Sequence, residues 1–214
     1  MLINTREKRE AWLENRAASS NADELKKSWS KLWHIQLTAL KPETKRTGSP
    51  SPSHPIWIPP PVNWAKINVD AGVARSGEHG VVAAVARSAS GVYLGGSAVL
   101  ITGISNPEVL EALAVREGLS LAQDLLLTRV RLASDCLSVV NALKEENWGS
   151  YSQILQEIKR TSRDLEEVNF VHENRLSNKE PHDLGKLVLG WPVGRYVWLS
   201  SPPVGVCIPR LMTV

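Results

Sequence analysis

Between residues 64 and 102 the sequence contains three strand-like segments in succession, with no helical segment among them. Residues 64–69 (WAKINV) alternate apolar and polar side chains, and residues 80–87 (GVVAAVAR) and 92–102 (VYLGGSAVLIT) are rich in β-branched residues. Residues 88–91 (SASG) separate the last two segments and are typical of a tight turn. The three segments therefore predict a β-meander.

Helices and strands alternate after this meander. Asn106 and Pro107 predict the start of a helix, because asparagine is a favourable N-cap and proline is tolerated at the first helical position. The segments predicted after this helix are a strand over 129–133, helices over 136–146 and 150–165, a strand over 167–172 and a helix over 177–189. The order βββαβααβα predicts an α/β fold with a mixed five-stranded sheet and helices on both faces.

The ends of the chain differ in composition from this central part. The predicted division is a polar, helical extension (1–46), a Pro- and Ser-rich linker (47–61), a folded domain (62–203) and a tail (204–214). The linker composition begins at residue 41, and we expect residues 41–61 to be extended and poorly packed. A helical face of residues 29, 32 and 33 in the extension fits either a helix packed on the domain or one that binds a protein or nucleic acid.

The sequence shows no feature of export or membrane insertion. No apolar run reaches the roughly 18 residues that a membrane span needs, and the charged start MLINTREKREAW lacks the apolar stretch of a secretory signal. The two cysteines, Cys136 and Cys207, have no zinc-binding spacing and indicate no disulfide framework. We therefore expect an intracellular, monomeric protein without membrane contacts, in the cytoplasm or the nucleus. The formal net charge of +3 is compatible with a nucleic-acid partner.

Three acidic residues are placed where an α/β sheet can bring them together. Asp70 and Asp135 come at the ends of predicted strands, and Glu111 lies one turn into the first predicted helix, on a face of small residues that would allow close approach to the sheet. Converging carboxylates repel one another unless hard cations such as Mg²⁺ or Mn²⁺ neutralise them. The three carboxylates are therefore predicted to bind a pair of such ions, as in a two-metal phosphodiester hydrolase.

Each of these residues also has a simpler interpretation. Asp70 precedes Ala-Gly and could belong to a turn, Asp135 could cap the following helix, and Glu111 could be a solvated helix charge. The order and spacing of the three together favour the metal site over the separate structural roles.

Five motifs in a fixed order resemble the plant ribonuclease H-like domain, which occurs in retroelement reverse transcriptases and in stand-alone plant proteins. The motifs are INVDAG (67–72), VVAAVARSASG (81–91), LEALAVREGLSLA (110–122), ASDCLSVVNAL (133–143) and HENRLSNKEPHDLGK (172–186). The resemblance covers about residues 57–203 and includes GRYVWLSSPP (194–203) as the tail of the family pattern. It implies a ribonuclease H-like fold.

The resemblance also implies a site of four carboxylates, three of which fall on Asp70, Glu111 and Asp135. The fourth falls on His182, where this chain departs from the family pattern. Imidazole is a poor ligand for Mg²⁺, and the neighbouring Asp183 would be turned about 100° away from this position on a helix. The departure therefore affects the expected catalytic strength and leaves the expected fold unchanged.

Three functions are open on these grounds. The first is an endonuclease that uses Mg²⁺ or Mn²⁺ to cut the RNA strand of an RNA–DNA hybrid. The second is a nucleic-acid-binding module that cuts poorly because of His182, and the third is a protein-interaction module or a decayed retroelement fragment. Arg175 and Asn178 resemble the family's R-x-x-N, which implies either contacts with the nucleic-acid backbone or capping of the last helix.

Overall fold

The computed structural model describes residues 57–145, 151–199 and 201–206. The predicted N-terminal extension, most of the predicted linker and the end of the predicted tail lie outside the described residues. At the end of the linker, Trp57 and Pro60 are buried. The expectation of poor packing is therefore wrong for these two residues, whereas residues 58, 59 and 61 are exposed.

The described residues form six strands, four α-helices and one 3-10 turn. The strands are β1 (Ala65–Val73), β2 (His79–Ser88), β3 (Tyr93–Thr102), β4 (Arg129–Ser134), β5 (Glu167–His172) and β6 (Gly194–Trp198). The helices are α1 (Pro107–Asp124), α2 (Leu137–Glu145), α3 (Ser152–Ser162) and α4 (Lys179–Val188), and the 3-10 turn (Arg175–Asn178) directly precedes α4. No helix in the described ranges is long and apolar enough to cross a bilayer.

The six strands form one mixed sheet in the order β5-β4-β1-β2-β3-β6. Strands β1, β2 and β3 form the predicted meander, and β4 runs parallel to both β1 and β5. The prediction of five strands is wrong, because Gly194–Trp198 forms β6 and pairs antiparallel with β3. Aromatic and β-branched residues favour a strand here, and the pairing covers an edge of β3.

Helices cover both faces of the sheet, as predicted. On one face, Leu110 of α1 belongs to a core cluster with Ile67 and Ala84 of the sheet, together with residues of α2 and α3. On the other face, Leu184 of α4 packs in a second cluster that includes Val81. Because successive strand residues point to opposite faces, the polar residues of β1 lie on the α4 face.

Helix α1 approaches the sheet closely at Gly118. A Cβ atom at this position would lie 2.8 Å from Cγ1 of Val69 and 2.9 Å from Cδ1 of Leu132. The small residue is therefore required for this packing, in agreement with the prediction from the sequence. Since Glu111 lies about two helical turns earlier on the same face, the close packing also holds Glu111 against the sheet.

We expect Gly118→Val to lower the free energy of unfolding by about 1–3 kcal/mol, because the added methyl groups must displace Val69 or Leu132. Glycine and valine differ by only a few tenths of a kcal/mol in helix propensity, so the loss reports packing. Urea denaturation followed by circular dichroism measures it. Gly190→Ala is the control, because nothing lies within 4 Å of a Cβ placed at that position. Equal losses in both variants would contradict the packing argument.

Candidate metal centre

Asp70 lies where β4 separates from β1. The parallel pairing of these strands ends at Val69 and Ser134, whereas the antiparallel pairing of β1 with β2 continues beyond Asp70. Asp70 is therefore inside β1 and not at its end, which corrects the prediction, while Asp135 directly follows β4. The chain turns at this point, where the Oγ of Ser134 accepts a hydrogen bond from the Cys136 amide at 3.0 Å. Two carboxylates thus come from neighbouring strands.

Glu111 lies one turn into α1, which begins at Pro107. Asn106 caps this helix as predicted, since its Oδ1 accepts hydrogen bonds from two amides of the first turn at 3.0 and 3.3 Å. Asp70, Glu111 and Asp135 each offer one carboxylate oxygen, and these oxygens lie within 4.8 Å of one another. The structure therefore brings the predicted trio together, with all three side chains partly buried.

Burial and the neighbouring negative charges raise the pKa of two of these carboxyl groups. Burial raises the pKa of Glu111 to about 8, with further contributions from the charges of Asp70 and Asp135, against the opposing hydrogen bonds of Ala71 and Ser134. Burial also raises the pKa of Asp70, the hydrogen bond of His182 opposes that rise, and the charge of Asp135 adds to it. Negative charge is therefore costly in this cluster without a cation.

The residues present fit a divalent cation. Oε2 of Glu111 is buried and has no hydrogen-bond partner in the part of the chain that the structure describes. Carboxylate oxygens are the ligands that Mg²⁺ and Mn²⁺ prefer. A cation bound among the three carboxylates would satisfy the buried Glu111 oxygen and offset their mutual repulsion.

Glu111→Gln should stabilise the metal-free protein at neutral pH. The pKa of Glu111 is raised in the folded protein from 4.5 to about 8, so the wild type loses stability as the pH rises through this range. The penalty is absent below the ordinary pKa of the carboxyl group. At pH 7 we expect the variant to be more stable by on the order of 2 kcal/mol, and at pH 4 the difference should vanish. Urea denaturation with EDTA at both pH values measures this.

Glu108→Gln, three residues earlier in the same helix but exposed, is the matched control for this experiment. It should change stability by no more than about 0.5 kcal/mol. Added Mn²⁺ should stabilise the wild type and the control more than Glu111→Gln, because the last variant lacks one of the three carboxylates that could bind the ion. A Glu111→Gln protein no more stable than the wild type at pH 7 would contradict the raised pKa.

His182 lies beside the acidic cluster. Its Nδ1 is 2.9 Å from Oδ2 of Asp70, and its side chain is 32% exposed. It therefore contacts one of the three carboxylates through a hydrogen bond. Asp183 forms an ion pair with Lys179 at 2.5 Å, which agrees with the prediction that Asp183 does not replace the missing carboxylate.

The structure separates the two residues of the R-x-x-N pattern. Arg175 is exposed, and its charge lies close enough to lower the pKa of Asp70. Asn178 is buried at 1% exposure, and its side chain bonds to β1 and does not cap α4. The predicted contact with a nucleic-acid backbone therefore depends on Arg175, because the structure does not bring Asn178 to the surface.

A buried polar cluster next to this site was not predicted from the sequence. Nζ of Lys66 lies 2.6 Å from Glu173, and Nδ2 of Asn68 lies 3.4 Å from the same carboxylate. Alternating polar residues in β1 normally indicate a solvent-facing strand face. Lys66 and Asn68 lie on the same strand face as Asp70, and both faces of the sheet are predicted to be covered by helices. This combination could have indicated that the two side chains are buried.

Comparisons with known proteins identify the family and the fold of this chain. A family model described as reverse transcriptase-like matches residues 68–188, which is more than half of the 214-residue chain. Comparison with curated proteins gives no match.

Among solved structures, the N-terminal RNase H domain of a Mycobacterium tuberculosis protein is similar, with a TM-score of 0.54 and 18% identity over 59% of this chain and 94% of that chain. RNase H1 of Halobacterium salinarum has a TM-score of 0.51 and 18% identity, covering 59% of this chain and 98% of its own. LC11-RNase H1, a protein solved in complex with an RNA/DNA hybrid, has a TM-score of 0.51 and 18% identity, covering 57% of this chain and 94% of its own.

Proposed function

Because this chain belongs to the reverse transcriptase-like family and has a ribonuclease H fold, we propose that it is a metal-dependent endonuclease that hydrolyses the RNA strand of RNA–DNA hybrids. The observation that carries the proposal is the cluster of three partly buried carboxylate oxygens within 4.8 Å of one another. The hybrid bound in one solved structure of the same fold supports the substrate class.

In this proposal, Asp70, Glu111 and Asp135 hold about two Mg²⁺ or Mn²⁺ ions. Such ions, when bound, supply the positive charge that activates water and stabilises the leaving oxygen in phosphodiester hydrolysis. The chain itself contributes position, since the carboxylates come from β1, α1 and the end of β4. The exposed Arg175, close to Asp70, supplies a charge that can bind the phosphate backbone of a substrate.

The experiment that tests this function is cleavage of a labelled RNA strand annealed to DNA. We expect cleavage with Mn²⁺ or Mg²⁺, none with EDTA, and much slower cleavage of the same RNA as a single strand. Hybrid shape and the 2′-hydroxyl groups would provide this selectivity. A protein that leaves the hybrid intact under all metal conditions would contradict the proposal.

A second candidate function is a nucleic-acid-binding module with little or no cleavage. The observation that favours it is His182, which occupies the fourth ligand position of the resemblance and hydrogen-bonds to Asp70. A module of this kind would retain the fold and bind hybrid without cutting it. Binding measured by fluorescence anisotropy, alongside the cleavage assay, distinguishes it from the nuclease.

His182→Asp should raise Mg²⁺-dependent cleavage about tenfold, which corresponds to about 1.4 kcal/mol of transition-state stabilisation. A carboxylate gives Mg²⁺ a hard oxygen ligand, whereas imidazole suits Mn²⁺ better. For the same reason, the wild type should cut faster with Mn²⁺ than with Mg²⁺. Initial rates on one hybrid, over a titration of each metal, measure both effects.

His182→Asn is the matched control, because asparagine has the shape of aspartate without its charge. It should not show the gain in Mg²⁺. If the wild type already cuts well in Mg²⁺ and His182→Asp is no faster, His182 is not a handicap. If wild type and variant both bind hybrid and both leave it intact, the binding module replaces the nuclease.

A further inference from the structure

Two consecutive residues of β1 are held by side chains from the start of α4. Nδ2 of Asn178 donates a hydrogen bond to the carbonyl of Val69 at 2.6 Å. Nδ1 of His182 lies 2.9 Å from Oδ2 of the next residue, Asp70. Since Asn178 directly precedes α4 and His182 follows four residues later, about one helical turn separates the two contacts. Both the backbone leading to Asp70 and its carboxylate are thus tied to one short stretch of chain.

The side-chain amide of Asn178 has one fixed orientation. Its Oδ1 accepts a hydrogen bond from Nδ2 of Asn68 at 2.9 Å, so its own Nδ2 must face the Val69 carbonyl. Both asparagines are almost completely buried. Rotating the Asn178 amide by half a turn would place two donors together at Asn68 and two acceptors together at Val69, which is costly in a buried site.

This pair of asparagines continues into a buried ion pair. Nδ2 of Asn68 lies 3.4 Å from Oε2 of Glu173, and Glu173 binds Nζ of Lys66 at 2.6 Å. Lys66 in turn donates to the carbonyl of Ile58 at 2.8 Å. Asn178 is therefore the last member of a buried polar chain that runs along β1 toward the acidic cluster.

A second buried contact attaches the start of α4 to the sheet, close to the contact of Asn178. Glu180 accepts hydrogen bonds from the guanidinium of Arg87 on β2, with one Nε–Oε2 distance of 2.8 Å. Glu180 lies midway between Asn178 and His182 in the sequence. The helix start is therefore attached to β2 by an ion pair and to β1 by Asn178. The Asn178 contact is the one next to Asp70.

We propose that Asn178 is a positioning residue for the acidic centre. Its hydrogen bond to the Val69 carbonyl holds the β1 backbone beside the start of α4, where His182 contacts Asp70. Asn178 thereby fixes the position of the Asp70 carboxylate relative to Glu111 and Asp135. The inference rests on the proposed function where it concerns metal affinity. The expected effect of Asn178 on the hydrogen bond between His182 and Asp70 does not depend on a metal. Residues that orient metal ligands in this way commonly change metal affinity by about 10–100-fold when they are altered.

Asn178→Asp is the most informative variant, because it keeps the shape and places a carboxylate oxygen against the Val69 carbonyl. Asn178→Ala is the second variant and removes both hydrogen bonds without adding charge. We expect each to weaken Mn²⁺ binding at least about tenfold in isothermal titration calorimetry. In the metal-free proteins, the ring ¹⁵N chemical shifts of His182 should also change. All measurements are made at a temperature at which circular dichroism shows each variant folded.

Two control variants separate positioning from general damage. Asn141→Asp makes the same amide-to-acid change at an exposed position of α2, and Leu155→Ala lowers stability by removing a buried side chain of α3. Both should keep the Mn²⁺ affinity and the His182 shifts of the wild type.

Asn178 variants that bind Mn²⁺ within about twofold of the wild type and keep its His182 shifts would overturn the inference. If the wild type itself binds no Mn²⁺, the proposed metal centre fails separately. The His182 shifts then decide the positioning role alone: a change in the Asn178 variants supports it, and unchanged shifts overturn it.

Discussion

Asp70→Asn should reduce metal-dependent cleavage of an RNA–DNA hybrid by about a thousandfold or more, equivalent to about 4 kcal/mol of transition-state stabilisation. Asp70 belongs to the carboxylate cluster and also contacts His182, so the change removes one negative charge from the proposed metal site and alters the hydrogen bond to the imidazole. The effect should be on the chemical step. Single-turnover cleavage, with enzyme in excess over the labelled hybrid, measures it.

The Asp70→Asn protein should remain folded and should still bind hybrid. Burial raises the pKa of Asp70, so a neutral side chain relieves a cost in the metal-free protein. Asp183→Asn is the matched control, because Asp183 forms an ion pair with Lys179 on the same helix as His182. It should cut within a few-fold of the wild type. Loss of activity of equal size in both variants would show that the assignment of the acidic centre is wrong.

Glu173→Gln should lower the free energy of unfolding by about 3–5 kcal/mol, the second large effect. The Lys66 side chain is 0% exposed and that of Glu173 is 5% exposed, so the change leaves a buried ammonium group without its counter-ion. Burial already lowers the pKa of Lys66, and the Glu173 hydrogen bond and charge oppose that shift. The contacts of Lys66 with Ile58 and with the ring of Trp57 do not carry a compensating negative charge.

Guanidinium denaturation of two further variants shows whether this loss comes from the buried ion pair. Glu166→Ala removes one partner of Arg129 in a surface pair whose side chains are 43% and 59% exposed, and should cost less than about 1 kcal/mol. The double variant Lys66→Met with Glu173→Leu removes both buried charges and should recover most of the stability that Glu173→Gln loses. If Glu173→Gln costs no more than Glu166→Ala, the pair does not support the fold.

Local signals in the sequence predict much of the fold correctly. Alternation in β1, β-branched residues in β2 and β3, and the turn between them give the meander, and Asn106 with Pro107 gives the start of α1. The acidic trio could be predicted because the predicted strands end at Asp70 and Asp135, although Asp70 lies inside β1 in the structure, and because Glu111 lies on a helix face of small residues such as Gly118. These signals act within a few residues of one another and need no knowledge of distant packing.

The features that were predicted wrongly from the sequence depend on contacts between distant parts of the chain. Strand β6 pairs with β3, which lies far away in the sequence. The aromatic and β-branched residues of this segment favour a strand, but they do not indicate its distant partner. Lys66 and Asn68 alternate as in a solvated strand, whereas contacts with Glu173 and Asn178 from distant elements bury them. Asp70 lies inside β1 because its two neighbouring strands end at different points.

We expect Asp70, Glu111 and Asp135 to bind divalent cations. Anomalous diffraction from crystals grown with Mn²⁺ would locate the ions independently of activity. We expect anomalous density among the three carboxylates, within coordinating distance of Oε2 of Glu111, and its loss in Asp70→Asn crystals. Ordered carboxylates with no anomalous density between them at millimolar Mn²⁺, or density at other residues alone, would contradict the account.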